Sequence, residues 1–416
     1  MMKKEVKLVG PFRQILTMSN MPIKGPIDDS QLSIIEEGGI LIAGNTIMDV
    51  AAFAQLQQQW GEQAVLIHVE GDQVVLPGFI DCHTHIAFAG SRANDFALRN
   101  AGSSYLEIAA AGGGIWSTVS HTRDCDAREL VELTIRRAHL LLKQGITTIE
   151  VKSGYGLNVE QELKLLRVIR ESDRQIQPDL IPTCLAAHML PRDFNGSAKD
   201  YLHMMAEVLF PVLKSERLSN RIDAFIEKTA FQGEDIVAYL QKAKNMGFDL
   251  TIHADQFTTS GSQIAVELGA ISADHLEAST AFEIELIAQS DTVAVALPAA
   301  SIGLGCGFTP ARKLLDAGAC LAIGSDWNPG SAPMGQLLTS ATILAAAEKL
   351  TNAELLAALT YRGAKALNLS DRGILAKGMR ADFSLFKTDN YQNITYFQGS
   401  LQPTAVWKNG TEVLSI

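Results

Sequence analysis

Eight short apolar runs recur between about Ile80 and Asp326, separated by longer amphipathic segments. They read GFIDCHTH, TTIEVK, DLIPTCLAAH, IDAFIEK, DLTIHAD, AISADHLE, TVAVALP and CLAIGSD. Strand-like runs alternating with helical patterns mark βα units and a parallel sheet, and eight is the number that closes a barrel. The segments between them fit: ARELVELTIRRAHLLLKQG and VEQELKLLRVIRESDRQ carry apolar residues at i, i+3, i+4 and i+7, the period of a helix with one buried face. The expected fold is α/β, a (β/α)8 TIM-type barrel.

The two ends of the chain read differently. Before about Leu76 and after about Arg380 come short strand candidates with Gly/Asn turns, such as GGILIAGNTIMDV, ADFSLFK and TAVWKNGTEVL. They predict a discontinuous small β-sandwich domain from residues 1–76 and 379–416, flanking a barrel over 77–378. The first twenty residues lack an uninterrupted apolar core, so no signal peptide is expected. A charge-free run from Thr292 to Ala311 is broken by Pro298 and Pro310, which excludes a membrane span and suggests a buried strand followed by a loop.

A net charge of −11 sets the surface against nucleic acid and anionic lipid. The five cysteines, Cys82, Cys125, Cys184, Cys306 and Cys320, form no CxxC pair, which fits a reducing, cytoplasmic setting. Cys82 reads as a packing residue. An anionic substrate would need a local cationic pocket, and a homodimer is the common assembly for such a chain.

The histidines gather at one rim. Residues i and i+2 of an extended strand share a face, so His83 and His85 converge, and two imidazoles on one face suit a divalent metal. In barrels of this type the active site lies at the C-terminal strand ends. His188, His253, His275 and Asp326 all fall there. Singly, each has a plain structural reading, Asp326 as a helix cap for instance. Together, the pair on the first strand, single histidines on the fifth and sixth and the aspartate on the eighth make one convergent metal site.

This order of residues, preceded by LPGFID and followed by RGILAKGMRADF, resembles the amidohydrolase superfamily. AGSRANDFALRNAGSSYLEIAAAGGGIWSTV, TTIEVKSGYGL, IHADQ, GAISADHLE and SDWNPGSAP resemble, within it, the imidazolonepropionase family. The resemblance implies a hydrolase that opens 4-imidazolone-5-propanoate to N-formimidoyl-L-glutamate in histidine degradation, with one divalent metal ion, zinc or iron. It implies metal ligands at His83, His85, His253 and Asp326, substrate contacts at Arg92, Tyr105, Tyr155, His188, Gln256, Asn328, Gly330 and Ser331, and catalytic roles for His275 and Asp326. The segment AASIGLGCG after ALP departs from the pattern.

The chemistry matches these residue types. A metal lowers the pKa of bound water toward neutrality so that it can attack a lactam carbonyl. Asp326 can carry the proton to the leaving nitrogen, and His275 can orient the nucleophile or stabilise the oxyanion. Arg92, Tyr155 and His188 form a cationic, hydrogen-bonding corner for a propionate. Gln256 can bond an imidazolone N–H and carbonyl but cannot pass a proton as a deaminase glutamate does. Three alternatives stand beside this reading: another cyclic-amide hydrolase or deaminase, a binuclear centre bridged through Lys152 or Glu227, and a barrel that has become a non-catalytic scaffold.

Overall fold

The protein is described from a computed structural model covering residues 5–103, 107, 112–228 and 230–415. Tyr105 lies outside the described residues. All eight barrel strands form: Phe79–Asp81, Ile146–Lys152, Asp179–Ala187, Arg221–Phe225, Asp249–Ala254, Ser272–His275, Val293–Ala296 and Leu321–Ile323. Each pairs in parallel with the next, in sequence order. Closure falls just past the ends of the first and last strands. There the Asp326 amide donates to His83 O (2.9 Å), the His85 amide donates to Trp327 O (3.0 Å), and Thr84 bridges Trp327.

Local sequence explains the helices between. In Ala127–Leu142 the buried face is Leu130, Thr134, Ala138 and Leu141, and the Asp126 carboxylate caps the start by accepting from the Arg128 amide at 2.8 Å. Asn158 caps Val159–Asp173 in the same way, accepting from the Gln161 amide at 2.9 Å. One expectation needs correction. Beyond Val293–Ala296 the chain forms a short helix, Pro298–Leu304, in place of a loop. Proline is pre-set for the first helical position, where its missing N–H costs nothing, so the proline that seemed to break structure starts it.

The termini build one eight-stranded mixed sheet from Val6–Leu16, Ile34–Ala43, Thr46–Ala52, Val65–His68, Gln73–Pro77, Phe383–Lys387, Ala405–Lys408 and Thr411–Ser415. Strand alternation divides its side chains between two cores. Ile15, Val75, Phe383 and Leu385 join the sheet's own apolar cluster, while their neighbours Leu16, Val74, Leu76 and Phe386 belong to the barrel cluster. The sheet is therefore cemented to the barrel by every second residue of its central strands.

Candidate active site

Barrel closure sets the backbone of three candidate ligands, because His83, His85 and Asp326 lie on the seam and His253 on the fifth strand faces them. The Nε2 atoms of His83 and His85 are 3.3 Å apart, and those of His85 and His253 are 3.4 Å apart. Asp326 Oδ1 lies 3.6 Å from His83 Nε2 and 3.4 Å from His85 Nε2. Ligand atoms at tetrahedral corners about 2.0–2.1 Å from one ion stand roughly 3.3–3.4 Å from each other. The donor set fits a divalent metal in identity and in spacing.

Burial keeps His83 and His253 in their neutral, ligating forms. It depresses His83, and it lowers His253 to about 4 although the Asp223 carboxylate opposes it. Burial works to raise Asp326, but the hydrogen bond from His85 and the neighbouring imidazoles of His85, His275 and His253 together hold it below the usual carboxylate range. The far ring nitrogens meet carboxylates: His83 Nδ1 donates to Asp274 Oδ2 at 2.6 Å, and His253 Nδ1 lies 3.0 Å from Asp223 Oδ2 in an ion-pair contact. Such partners fix the tautomer that leaves Nε2 free to bind metal.

The charge around the cluster also asks for a cation. Asp326, Asp274, Asp223 and Glu150 are all buried, with Lys152 as the one buried ammonium that contacts the last three. Burial pushes Asp274 up to about 7 in spite of Lys152. The bridged binuclear alternative loses its supports. A carboxylated Lys152 would place another anion among three carboxylates, and Glu227 is occupied elsewhere, accepting from the Phe257 and Thr258 amides at 3.0 Å each.

His275 lies beside the cluster, its ring centroid 5.4 Å from that of His253 and 5.9 Å from that of His83. Its φ of 87° is rare for a residue with a side chain. Burial works to lower its pKa, but Glu277, 3.5 Å from Nδ1, holds it above the usual value. Ser301, on the unexpected helix, donates to the same Glu277 Oε1 at 3.1 Å. That helix is also pressed against the 331 loop: a Cβ on Gly303 would fall 1.7 Å from Ser331 O. This segment thus packs beside the site, and with Phe96, Arg99 and Met334 it lines an outer cavity of about 550 Å³.

The expected substrate residues occupy the same rim. Tyr155, His188 and His85 form a ring cluster with centroids 5.7–6.0 Å apart. Tyr155 is aimed by its loop, where Gly154 takes φ 100° and Glu162 accepts from the amides of Gly154, Gly156 and Leu157 at 2.8–3.1 Å. His188 Nδ1 donates to Gly154 O at 2.9 Å, and burial drops its pKa to about 3. Asn328 organises the next wall: its Oδ1 accepts from the Gly330 and Ser331 amides at 2.8 Å each, and its Nδ2 donates to Asp326 O at 2.7 Å. A Cβ on Gly330 would sit 3.4 Å from Arg92 Nη1, so the guanidinium lies against this loop. Gln256 is half-buried on the loop after the fifth strand, which Asp255 and Glu227 hold by accepting its amides.

Sequence reasoning missed the residues that orient these groups: Asp223, Asp274 and Glu150 behind the metal cluster, Glu277 beside His275, Glu162 under Tyr155, and Asp95, which accepts from Arg92 Nε. A signal existed for four of them. Glu150, Asp223 and Asp274 interrupt apolar strands, and Glu277 follows His275 by two residues; an acid in a buried strand needs a partner.

A family model described as "Amidohydrolase family" matches residues 74–413. The imidazolonepropionase of Bdellovibrio bacteriovorus is 40% identical over 93% of this chain and 91% of its own length, and that of Deinococcus radiodurans is 39% identical over 92% and 93%. Among solved structures, a triazine hydrolase variant superposes with TM-score 0.75 at 17% identity, covering 99% of this chain and 95% of its own. A Xanthomonas campestris adenosine deaminase with bound zinc gives 0.72 at 18%, covering 99% and 93%. At such identities these two speak for the fold alone. The matches along nearly the full length, on a barrel that gathers three histidines and an aspartate at its C-terminal rim, show that the chain belongs to the amidohydrolase family and, within it, to the imidazolonepropionases.

Proposed function

We propose that this site hydrolyses 4-imidazolone-5-propanoate to N-formimidoyl-L-glutamate, with one divalent ion, zinc or iron, held by His83, His85, His253 and Asp326. The observation that carries the reading is the pairing of a hydrolytic cluster with a cationic corner. In a protein of net charge −11, the Arg92 guanidinium is pinned through Nε by Asp95 and lies against Gly330, beside the loop that Asn328 ties to Asp326. That suits a small cyclic amide bearing a carboxylate.

A divalent ion held there supplies Lewis acidity and makes hydroxide available near neutral pH. Asp326, ionised at pH 7, accepts the proton of the attacking water and delivers it to the ring nitrogen as the C–N bond breaks. His275, oriented by Glu277 3.5 Å from its Nδ1, offers a hydrogen-bonding partner to the oxyanion that forms on the carbonyl. Arg92 grips the propionate, Tyr155 donates a hydrogen bond beside it, His188, whose Nδ1–H is given to Gly154 O, presents Nε2 as an acceptor to a substrate N–H, and Asn328, Gly330 and Ser331 close the opposite side. Gln256 reads the ring edge, and its amide cannot protonate a ring nitrogen as deamination requires. The enzyme is taken to work as a cytoplasmic homodimer, two-fold assemblies being the commonest.

The test follows loss of imidazolone absorbance with freshly generated substrate and identifies the product by mass, with hydantoin-propionate and dihydropyrimidine in parallel. Activity should vanish with a chelator and return with a divalent metal. Arg92→Met should raise KM for the propionate substrate by roughly ten-fold or more, the weight of a charge-assisted hydrogen bond of about 1.5–3 kcal/mol, and leave an analogue without the carboxylate little affected. Faster turnover of either control, or release of ammonia, would overturn the substrate assignment.

A further inference from the structure

Beneath the metal cluster lies a cation that the proposed chemistry does not use. Lys152, the last residue of the second barrel strand, is 1% exposed. Its ammonium is 2.9 Å from Glu150 Oε1, 2.8 Å from Asp223 Oδ2 and 3.9 Å from Asp274 Oδ2. Each carboxylate then meets a different part of the ligand set. Asp274 accepts from Nδ1 of His83 at 2.6 Å, Asp223 lies 3.0 Å from Nδ1 of His253, and Glu150 Oε2 accepts from the Thr84 amide, between His83 and His85, at 3.1 Å. The backbone closes the arrangement: the Lys152 amide donates to Thr84 O at 2.9 Å, and Thr84 Oγ1 donates to Glu150 O at 2.6 Å.

We infer that Lys152 is a positioning residue that gathers Glu150, Asp223 and Asp274 so that they aim His83 and His253 and fix the backbone between His83 and His85. The inference rests on the reading of the histidine cluster as a metal site. Three carboxylates crowded around one spot inside a barrel repel each other, and burial shields them from the screening of bulk solvent. Without the ammonium they would move apart. That movement withdraws the acceptor that holds an imidazole by its Nδ1–H, and loss of such a partner costs about 10–100-fold in metal affinity. Lysine suits the place better than arginine, because a compact ammonium can face three partners from different directions where a planar fork cannot.

The experiment measures metal affinity and coordination rather than turnover. Lys152→Met strands three buried carboxylates and is apt to unfold the chain, so the informative protein is Lys152→Met combined with Glu150→Gln, which removes one charge of each sign and keeps an oxygen for the Thr84 amide. Folding is verified by circular dichroism and thermal melting. Zinc affinity comes from competition with a chromophoric chelator, and the visible spectrum of the cobalt(II) form reports ligand geometry. The expected result is a folded double variant with zinc affinity weakened about 10–100-fold and an altered cobalt band. A folded variant with wild-type affinity and an unchanged cobalt spectrum would overturn the inference and leave Lys152 a purely structural residue. A wild-type chain that takes up neither zinc nor cobalt would instead overturn the metal reading itself.

Discussion

The barrel carries a cluster of charges at each end, and the two are built on opposite plans. At the C-terminal rim Lys152 faces Glu150, Asp223 and Asp274, every side chain 0–1% exposed, with Asp326 above them. At the N-terminal end Asp179, which opens the third strand, takes Arg372 (2.5 Å), Arg380 (3.1 Å) and Lys408 (2.9 Å) on one oxygen, and Asp371 and Asp382 share the same cations. This second cluster balances three positive charges with three negative, and several of its side chains reach solvent. It stitches the terminal sheet to the barrel. The first carries excess negative charge where water cannot help, an arrangement that is costly unless a cation completes it. Balance marks the structural cluster, and imbalance marks the functional one.

The sharpest way to break this comparison is to alter one end and look for damage at the other. Asp326→Asn should keep the fold and lower kcat by about 10²–10⁴-fold, because the amide can still offer an oxygen but cannot accept a proton. Steady-state kinetics beside a melting curve checks it; substantial turnover at pH 7 would pass the role of base to His275. Lys408→Met should do the reverse. Removing charge-assisted bonds to Asp179 and Asp382 should cost about 1.5–3 kcal/mol of stability, seen as a lower Tm, with KM and kcat unchanged.

Acid should separate the two ends more gently. In the apoprotein burial lowers His253 to about 4 and His188 to about 3, against about 6.5 in an unfolded chain. Between pH 6.5 and 4 the unfolded state therefore binds more protons than the native one, and stability falls as pH falls. At the other end Arg372 and Arg380 overcome burial to hold Asp371 at about 2, and Lys408 and Arg372 likewise depress Asp179. Their contribution is complete above about pH 4 and is lost as pH drops toward 2. Melting curves of the chelator-treated protein should thus decline in two windows, and Lys408→Met should weaken only the lower one. A single loss below pH 4 would show that the rim histidines are not held neutral by burial.

Much of this protein is legible in its sequence. The eight strands declared themselves through β-branched runs bounded by helical periods, and His83 and His85 through the period of two that gives a strand its faces. The carboxylates behind them were less legible. Asp223 could be read as an acid within a strand, but its partners, Lys152 and His253, lie on different strands, and pairing between strands depends on register that no local pattern contains. The helix Pro298–Leu304 was misread because Pro298 and the glycines around it signal breaks as readily as helix ends.

The sequence by itself determined the barrel, the strand-end placement of His83, His85, His253 and Asp326, and the cationic residues that fit a carboxylate, because each follows from local periodicity or residue chemistry. Only the tertiary structure decided that Lys152 meets Glu150, Asp223 and Asp274, that Glu227 anchors a loop, and that Glu277 and Ser301 stand behind His275. Those assignments turn on distances of a few ångströms between residues far apart in the chain, and closure of the parallel sheet is what fixes such distances.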